Sequence, residues 1–143
     1  MTKSGVTIGA AAARSGCTPA TIRFYEEGGL LPTIDRSVGG RRVYRRAEIF
    51  RLVFIRRCRD LGFPLEQVRA LLDVMDGKGS CGAARSLVQA QIDSVRAKRA
   101  EMEALEQTLS GLAASCTDVC ARGDVDDCTM MKDFAAAQAD LGP

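Results

Sequence analysis

The sequence predicts a mainly α-helical chain, with short helices packed in a compact first half and one long helix that needs a partner. Three observations carry this. Apolar residues recur at heptad spacing through Cys81, Val88, Val95, Met102, Leu109 and Cys116. Residues 1–70 carry 13 Lys/Arg against 6 Asp/Glu, whereas residues 71–143 carry 7 against 12. Breakers and caps such as Thr18-Pro19, Gly28-Gly29 and Gly77-Lys78-Gly79 cut the first half into short segments. At 143 residues the chain is the size of one domain, but a helix of five heptads cannot be buried by so small a core. A compact N-terminal domain with a dimerisation arm follows.

Taken in order, Thr7 caps a first helix through Ala10–Ala13, built on the best helix former, and Ser15-Gly16 ends it. Thr18 as N-cap and Pro19 at the first helical position start a second helix, which carries Thr21 to Glu26 and stops at Gly28-Gly29. Two short helices joined by a glycine-containing turn form a helix-turn-helix, whose second helix enters a DNA major groove. Leu30-Leu31-Pro32 leads into an irregular stretch. Gly39-Gly40 before Arg41-Arg42-Val43-Tyr44 then reads as a tight turn feeding a short strand, in the manner of a wing. Arginine and tyrosine hydroxyl groups there suit phosphate contacts, which position a protein on DNA without reading its sequence.

From Ala47 to Leu61, Ile49, Phe50, Val53, Phe54 and Leu61 recur at helical spacing with arginines opposite, which predicts a buried face made of those residues. Gly62 ends that helix. Pro64 opens another with Leu65, Val68, Leu71 and Leu72 on its apolar face. Gly77-Lys78-Gly79 forms a hinge, and Ser80 caps the long helix. In that helix the companion positions Ala84, Gln91, Lys98, Leu105 and Leu112 are apolar at both ends and polar in the middle, with Arg96, Arg99, Glu103 and Glu106 outside the seam. At about 1.5 Å rise per residue, the two seam cysteines lie roughly 50 Å apart along one helix and cannot share a ligand. Two copies packed antiparallel bring Cys81 of each to Cys116 of the other.

The segments Thr18-Pro19-Ala20-Thr21-Ile22-Arg23-Phe24-Tyr25-Glu26, Gly28 with Leu30-Leu31-Pro32, Gly40-Arg41-Arg42-Val43-Tyr44 and Leu61-Gly62-Phe63-Pro64-Leu65-Glu66 resemble the MerR family of transcription regulators. The likeness is dense over residues 6–75, and the long helix with its thiols resembles the metal-sensing branch. The resemblance implies a winged helix-turn-helix DNA-binding domain over residues 1–76. A long antiparallel coiled-coil dimerisation helix over 80–117 follows, and then a metal-binding loop with a short C-terminal helix over 118–143. It further implies a homodimer on a promoter palindrome, double-stranded DNA whose spacer is too long for RNA polymerase until effector binding bends and untwists it. Carried onto this chain, the DNA contacts are Arg14, Thr18, Thr21, Arg23, Tyr25, Arg41, Arg42 and Tyr44.

Cys17 and Cys58 stand apart from the other four thiols and read as small buried hydrophobes. Cys81, Cys116, Cys120 and Cys128 are the metal candidates. Cys116 and Cys120 are one turn apart if the helix continues that far, and Ala121-Arg122-Gly123-Asp124 allows the chain to double back toward Cys128. A cysteine at the start of the dimer helix resembles sensors of doubly charged ions, since each thiolate adds a negative charge, whereas the copper(I) branch carries serine there. The chain departs from the family pattern by having both Cys120 and Cys128. Which of them completes the site stays open.

With no histidine in the chain, a sulfur site selects soft thiophilic ions: mercury, lead, cadmium or zinc, or trivalent arsenic and antimony. Asp118, Asp124, Asp126 and Asp127 read as a solvated loop. Thr129 caps a last helix through Met130, Met131 and Phe134, whose methionines pack rather than bind metal.

A thiol redox sensor and a metal-buffering protein are the competing functions. Enzyme chemistry is not expected, given no histidine base and no nucleotide-binding glycine loop. The longest uncharged run, Gln107 to Thr117, is 11 residues, against the roughly 20 that a membrane span needs. Six cysteines without an export signal are expected as reduced thiols in the cytoplasm.

Overall fold

A computed structural model describes residues 5–116, 123 and 128–139. Its helices are α1 (Ile8–Ser15), α2 (Pro19–Glu27), α3 (Arg46–Asp60), α4 (Leu65–Met75), α5 (Cys81–Ala114) and α6 (Thr129–Ala139). The chain divides into two compact units, Met1–Gln91 and Ile92–Pro143.

In the first unit the expected caps form. Thr7 Oγ1 accepts the Ala10 N–H at 3.3 Å and Thr18 Oγ1 accepts that of Thr21 at 3.1 Å. Gly16 ends α1 at φ 76°, a left-handed conformation that costs glycine nothing. Ser80 Oγ accepts the Ala83 N–H at 3.1 Å and opens α5. α1 packs on α2 and α3, and α3 on α4. Ala11, Ile22, Leu30, Tyr44, Leu52, Ile55, Val68 and Leu72 make the centre of the core. Cys17 and Cys58 lie within it, and burial pushes the Cys58 thiol up.

The wing is a hairpin without a full ladder. Gly40 N–H donates to the Ser37 carbonyl at 2.9 Å, with Gly40 at φ 79°, and Val43 N–H to the Asp35 carbonyl at 2.8 Å. The expected short strand reduces to two isolated bridges, Arg36 with Arg42 and Val6 with Tyr44. Each arm is too short to extend the pairing.

Helix α3 departs from expectation. Its buried residues are Leu52, Ile55 and Cys58, whereas Phe50 and Leu61 are 62% and 61% exposed and Val53 is exposed as well. Ile49 and Phe54 only flank the core. Apolar residues occur around most of this helix, so periodicity does not single out one stripe. Packing selects the stripe that meets α1 and α4, and arginines tie down its margins. Arg51 Nε donates to the Leu30 carbonyl at 2.7 Å, Arg56 to that of Gly16 at 2.6 Å and Arg59 to that of Phe63 at 2.9 Å. Arg51 also grips Asp76 through two hydrogen bonds of 2.7 and 2.9 Å, which hold that carboxyl below the usual carboxylate range.

Within the same unit Gln91, expected as a polar seam position, is buried and its Nε2 donates to the Leu61 carbonyl at 2.9 Å. In the second unit, α5 continues from Ile92 with Val95, Met102, Leu105 and Leu109 exposed, and Met131 and Phe134 of α6 are exposed too. α5 stops at Ala114, so Cys116 lies past its end. Cys120 and the four loop aspartates fall outside the described residues. Cys128 sits just before α6, where its carbonyl accepts the Lys132 N–H at 3.3 Å. No helix among the described residues is long and apolar enough to cross a membrane.

The chain has two tyrosines, and both phenols ionise above the ordinary 10.0. Burial is the first cause for each, joined for Tyr44 by its hydrogen bond to Glu26. Both therefore keep their protons to higher pH folded than unfolded. Their contribution to stability is full below about 10 and is lost as pH rises through the folded values. Tyrosinate absorbance at pH 10 is expected to be lower in the native protein than in urea, where it reaches about half its limit. Half-ionised tyrosine in the native protein would contradict this burial.

Candidate nucleic-acid interface and thiol positions

The Thr18 cap and Pro19 set the start of α2, and Ile22 and Tyr25 turn into the core. The opposite side is thereby left outward. Thr18, Arg23 and Phe24 are exposed and Thr21 is half-buried, with its hydroxyl 2.8 Å from that of Thr18. Arg14 is exposed in the last turn of α1.

Two expected DNA contacts are corrected. Tyr44 is 0% exposed, and its hydroxyl donates to the Glu26 carboxylate, so it offers no hydroxyl to a phosphate. Tyr25 is likewise buried and serves the core. Arg42 is half-buried with Nε 3.1 Å from Glu26, which draws its guanidinium back toward α2. Arg41 is exposed at the turn.

The arginines of the first unit divide by role. Arg42, Arg45, Arg51 and Arg56 pair with Glu26, Asp35, Asp76 and Asp60 respectively, and Arg59 caps a carbonyl. Among the described residues, Arg23, Arg36, Arg41, Arg46 and Arg57 make no ion pair.

Three of these meet at one place. Arg23 of α2, Arg36, Gly40, Arg41 and Arg42 of the hairpin, and Thr7 and Ile8 at the start of α1 line an open cleft of about 380 Å³. Arg36 Nη1 donates to the Gly40 carbonyl at 2.9 Å, which leaves its remaining donors available. The α1 end adds backbone N–H dipoles of the same sign. Such a cleft suits a phosphate group.

Arg36 and Phe24, 57% exposed on α2, were missed from sequence. The available signal for Arg36 was its place across the turn from Arg42. For Phe24, an aromatic in a short amphipathic helix reads as core by default.

Cys81 is exposed at the first position of α5, and Cys116 and Cys128 are half-buried. Among the described residues of one chain, no three cysteine, aspartate or glutamate side chains come together as a metal cage. Sulfur donors without imidazole fit a soft ion, and the described thiols of one chain do not complete its coordination.

The family model described as "MerR HTH family regulatory protein" matches residues 6–74, and that described as "MerR, DNA binding" matches residues 49–112. The chain is 37% identical over 133 residues to an uncharacterized HTH-type transcriptional regulator of Pseudomonas aeruginosa, covering 92% of this chain and 97% of that one. It is 37% identical over 111 residues to the mercuric resistance operon regulatory protein of Serratia marcescens, covering 78% and 76% of the two. The lead(II) complex of the transcription regulator PbrR691 from Ralstonia metallidurans CH34 matches with a TM-score of 0.76 at 37% identity, covering 90% and 98%. Family matches from residue 6 to residue 112, on a fold that turns α2 outward beside an arginine-lined wing, assign the chain to the MerR HTH family of DNA-binding transcription regulators, which are not enzymes.

Proposed function

We propose that this chain is a metal-responsive promoter regulator that works as a homodimer and activates transcription when a soft thiophilic ion binds at the ends of α5. The observation that carries this is the exposed heptad face Val88, Val95, Met102 and Leu109, bounded by Cys81 and Cys116. An apolar stripe of that length on a solvated helix calls for a second helix. The register that brings Cys81 to the second copy's Cys116 also sets Val95 against its Met102 and Val88 against its Leu109, so apolar positions meet along the seam. Cys120 or Cys128 completes the thiolate set. The relatives support a soft ion by what their names state, mercuric resistance for one and lead(II) for the other.

On DNA, Thr18, Thr21, Arg23 and Phe24 face the major groove, while Arg14, Arg36 and Arg41 take phosphates. Direct readout by threonine, arginine and an aromatic against thymine methyls suits these side chains. Two such heads on one rigid coil have a fixed separation and twist. A change at the coil ends is thus expressed as DNA deformation within a promoter that RNA polymerase already occupies.

The test is transcription in vitro from the promoter upstream of the gene, with RNA polymerase and the fully reduced protein. Mercury(II), lead(II), cadmium(II), zinc(II), arsenite, antimonite and copper(I) are titrated singly. At least one soft divalent ion is expected to raise transcript yield about tenfold or more, within the usual range of ligand coupling, and copper(I) to leave it unchanged. Activation by arsenite or antimonite alone would transfer the site to metalloids. Indifference to every ion with a response to peroxide would overturn the metal reading in favour of a redox sensor.

A further inference from the structure

Glu26 is an acidic residue inside the DNA-facing half of a basic domain. It sits on α2, and its side chain is only 12% exposed. It accepts the Tyr44 hydroxyl and pairs with Arg42 Nε at 3.1 Å. Tyr44 is wholly buried and its backbone pairs with Val6, so this phenol is a fixed post. Arg42 belongs to the wing hairpin and bridges to Arg36. One carboxylate thus joins the helix that faces the groove to the hairpin that faces the backbone. It lines one hollow with Arg36 and Arg42, whereas a second, lined by Arg23, Arg36, Arg41 and Arg42, has no acidic residue in its lining.

A negative charge there weakens attraction to any polyanion, and a leucine or methionine would fill the same space without that cost. We infer that Glu26 is a positioning residue for DNA recognition: it neutralises Arg42 and, with Tyr44, locks the wing to α2, so that Arg23, Arg36 and Arg41 hold one backbone phosphate in fixed register with the major-groove residues. This rests on the DNA-interface reading above. An arginine held by a carboxylate releases no counterion from DNA, so Arg42 adds nothing to the salt dependence of binding. Freed from Glu26, it becomes a mobile cation at the wing, which strengthens binding to any duplex and blurs register.

The experiment measures binding of the full-length protein to two duplexes across a salt series. One duplex is enriched from random DNA by the wild-type protein, and the other has the same composition scrambled. Glu26→Gln keeps an oxygen for Tyr44 but removes the charge. It is expected to steepen the salt slope on scrambled DNA by about 1 per protomer, and to lower the enriched-to-scrambled affinity ratio about fivefold or more. Arg42→Gln is expected to keep the wild-type slope. In the Arg42→Gln background, Glu26→Gln is expected to leave the slope unchanged, which separates action through Arg42 from a general loss of negative charge. A slope reduced by about 1 per protomer in Arg42→Gln would show Arg42 itself on a phosphate and overturn the inference. An equal effect of Glu26→Gln in both backgrounds, or none in either, would overturn it as well. If Glu26→Gln unfolds, by its circular dichroism melt, Arg42→Gln alone still decides through its slope. Failure of the wild-type protein to enrich any duplex would overturn the DNA-interface reading itself, and this inference with it.

Discussion

Cys81→Ser is expected to lower affinity for the inducing ion at least about a thousandfold, because a soft ion that binds through three or four thiolates draws several kcal/mol from each. Cys116→Ser is expected to do the same, although the two residues stand 35 positions apart in the chain. The decisive sample is a mixed dimer of the two variants. In an antiparallel pair, one end then holds both serines and the other holds both native cysteines. Half of the wild-type metal stoichiometry should return at wild-type affinity, read by thiolate-to-metal absorbance in a competitive titration. Homodimers of either variant have one serine at each end and should recover nothing. If Cys81 proves dispensable, the site lies within one chain's loop, and the cross-chain proposal fails. The same titration with Cys120→Ser and Cys128→Ser identifies the remaining donor. Cys17→Ser and Cys58→Ser should leave metal binding intact, since both thiols are enclosed in the core of the DNA-binding unit.

Val95→Glu is expected to convert the dimer to monomer. Val95 is exposed on α5, and the proposed register sets it against the second copy's Met102. Two-fold symmetry then places the new carboxylate in the seam twice, each time against an apolar side chain. Burial of an unpaired charge costs several kcal/mol, so the dimer dissociation constant should rise at least about a thousandfold. Sedimentation should show a single chain of 15.3 kDa at concentrations where the wild type is a pair. The helix-turn-helix unit has its own core and should keep its melting temperature. Loss of metal binding in this variant, which touches no thiol, would follow from separation of Cys81 from Cys116. A Val95→Glu dimer with normal metal binding would show that α5 pairs in another register or through another face.

Cap and breaker residues carried most of the N-terminal architecture. Thr7, Gly16, Thr18-Pro19 and Ser80 act on the backbone within a few positions of themselves, so their effect is local and readable. The same holds for the heptad face of α5, since a helix long enough to show its period declares which side is apolar. The likeness to the regulator family rested on these short motifs and held when compared with known relatives.

Helix α3 shows where that reading stops. Phe50, Val53 and Leu61 make as good a helical stripe as Leu52, Ile55 and Cys58, and only packing against neighbouring helices distinguishes them. Tyr44 and Arg42 show it again. In sequence both belong to an arginine-rich turn. In the fold, Glu26 on another helix engages both, burying the Tyr44 hydroxyl and pairing with Arg42, while Arg23, Arg36 and Arg41 line the same open cleft as Arg42 without an ion pair among the described residues. The sequence by itself determined the helices, most of their caps and the exposed apolar heptad positions of α5, because these follow from neighbours along the chain. Which arginines are spent on ion pairs and which make none among the described residues was decided only by the tertiary structure. A charge's partner is set by distance in space, and Glu26 lies 16 residues from Arg42 along the chain but 3.1 Å from it in the fold.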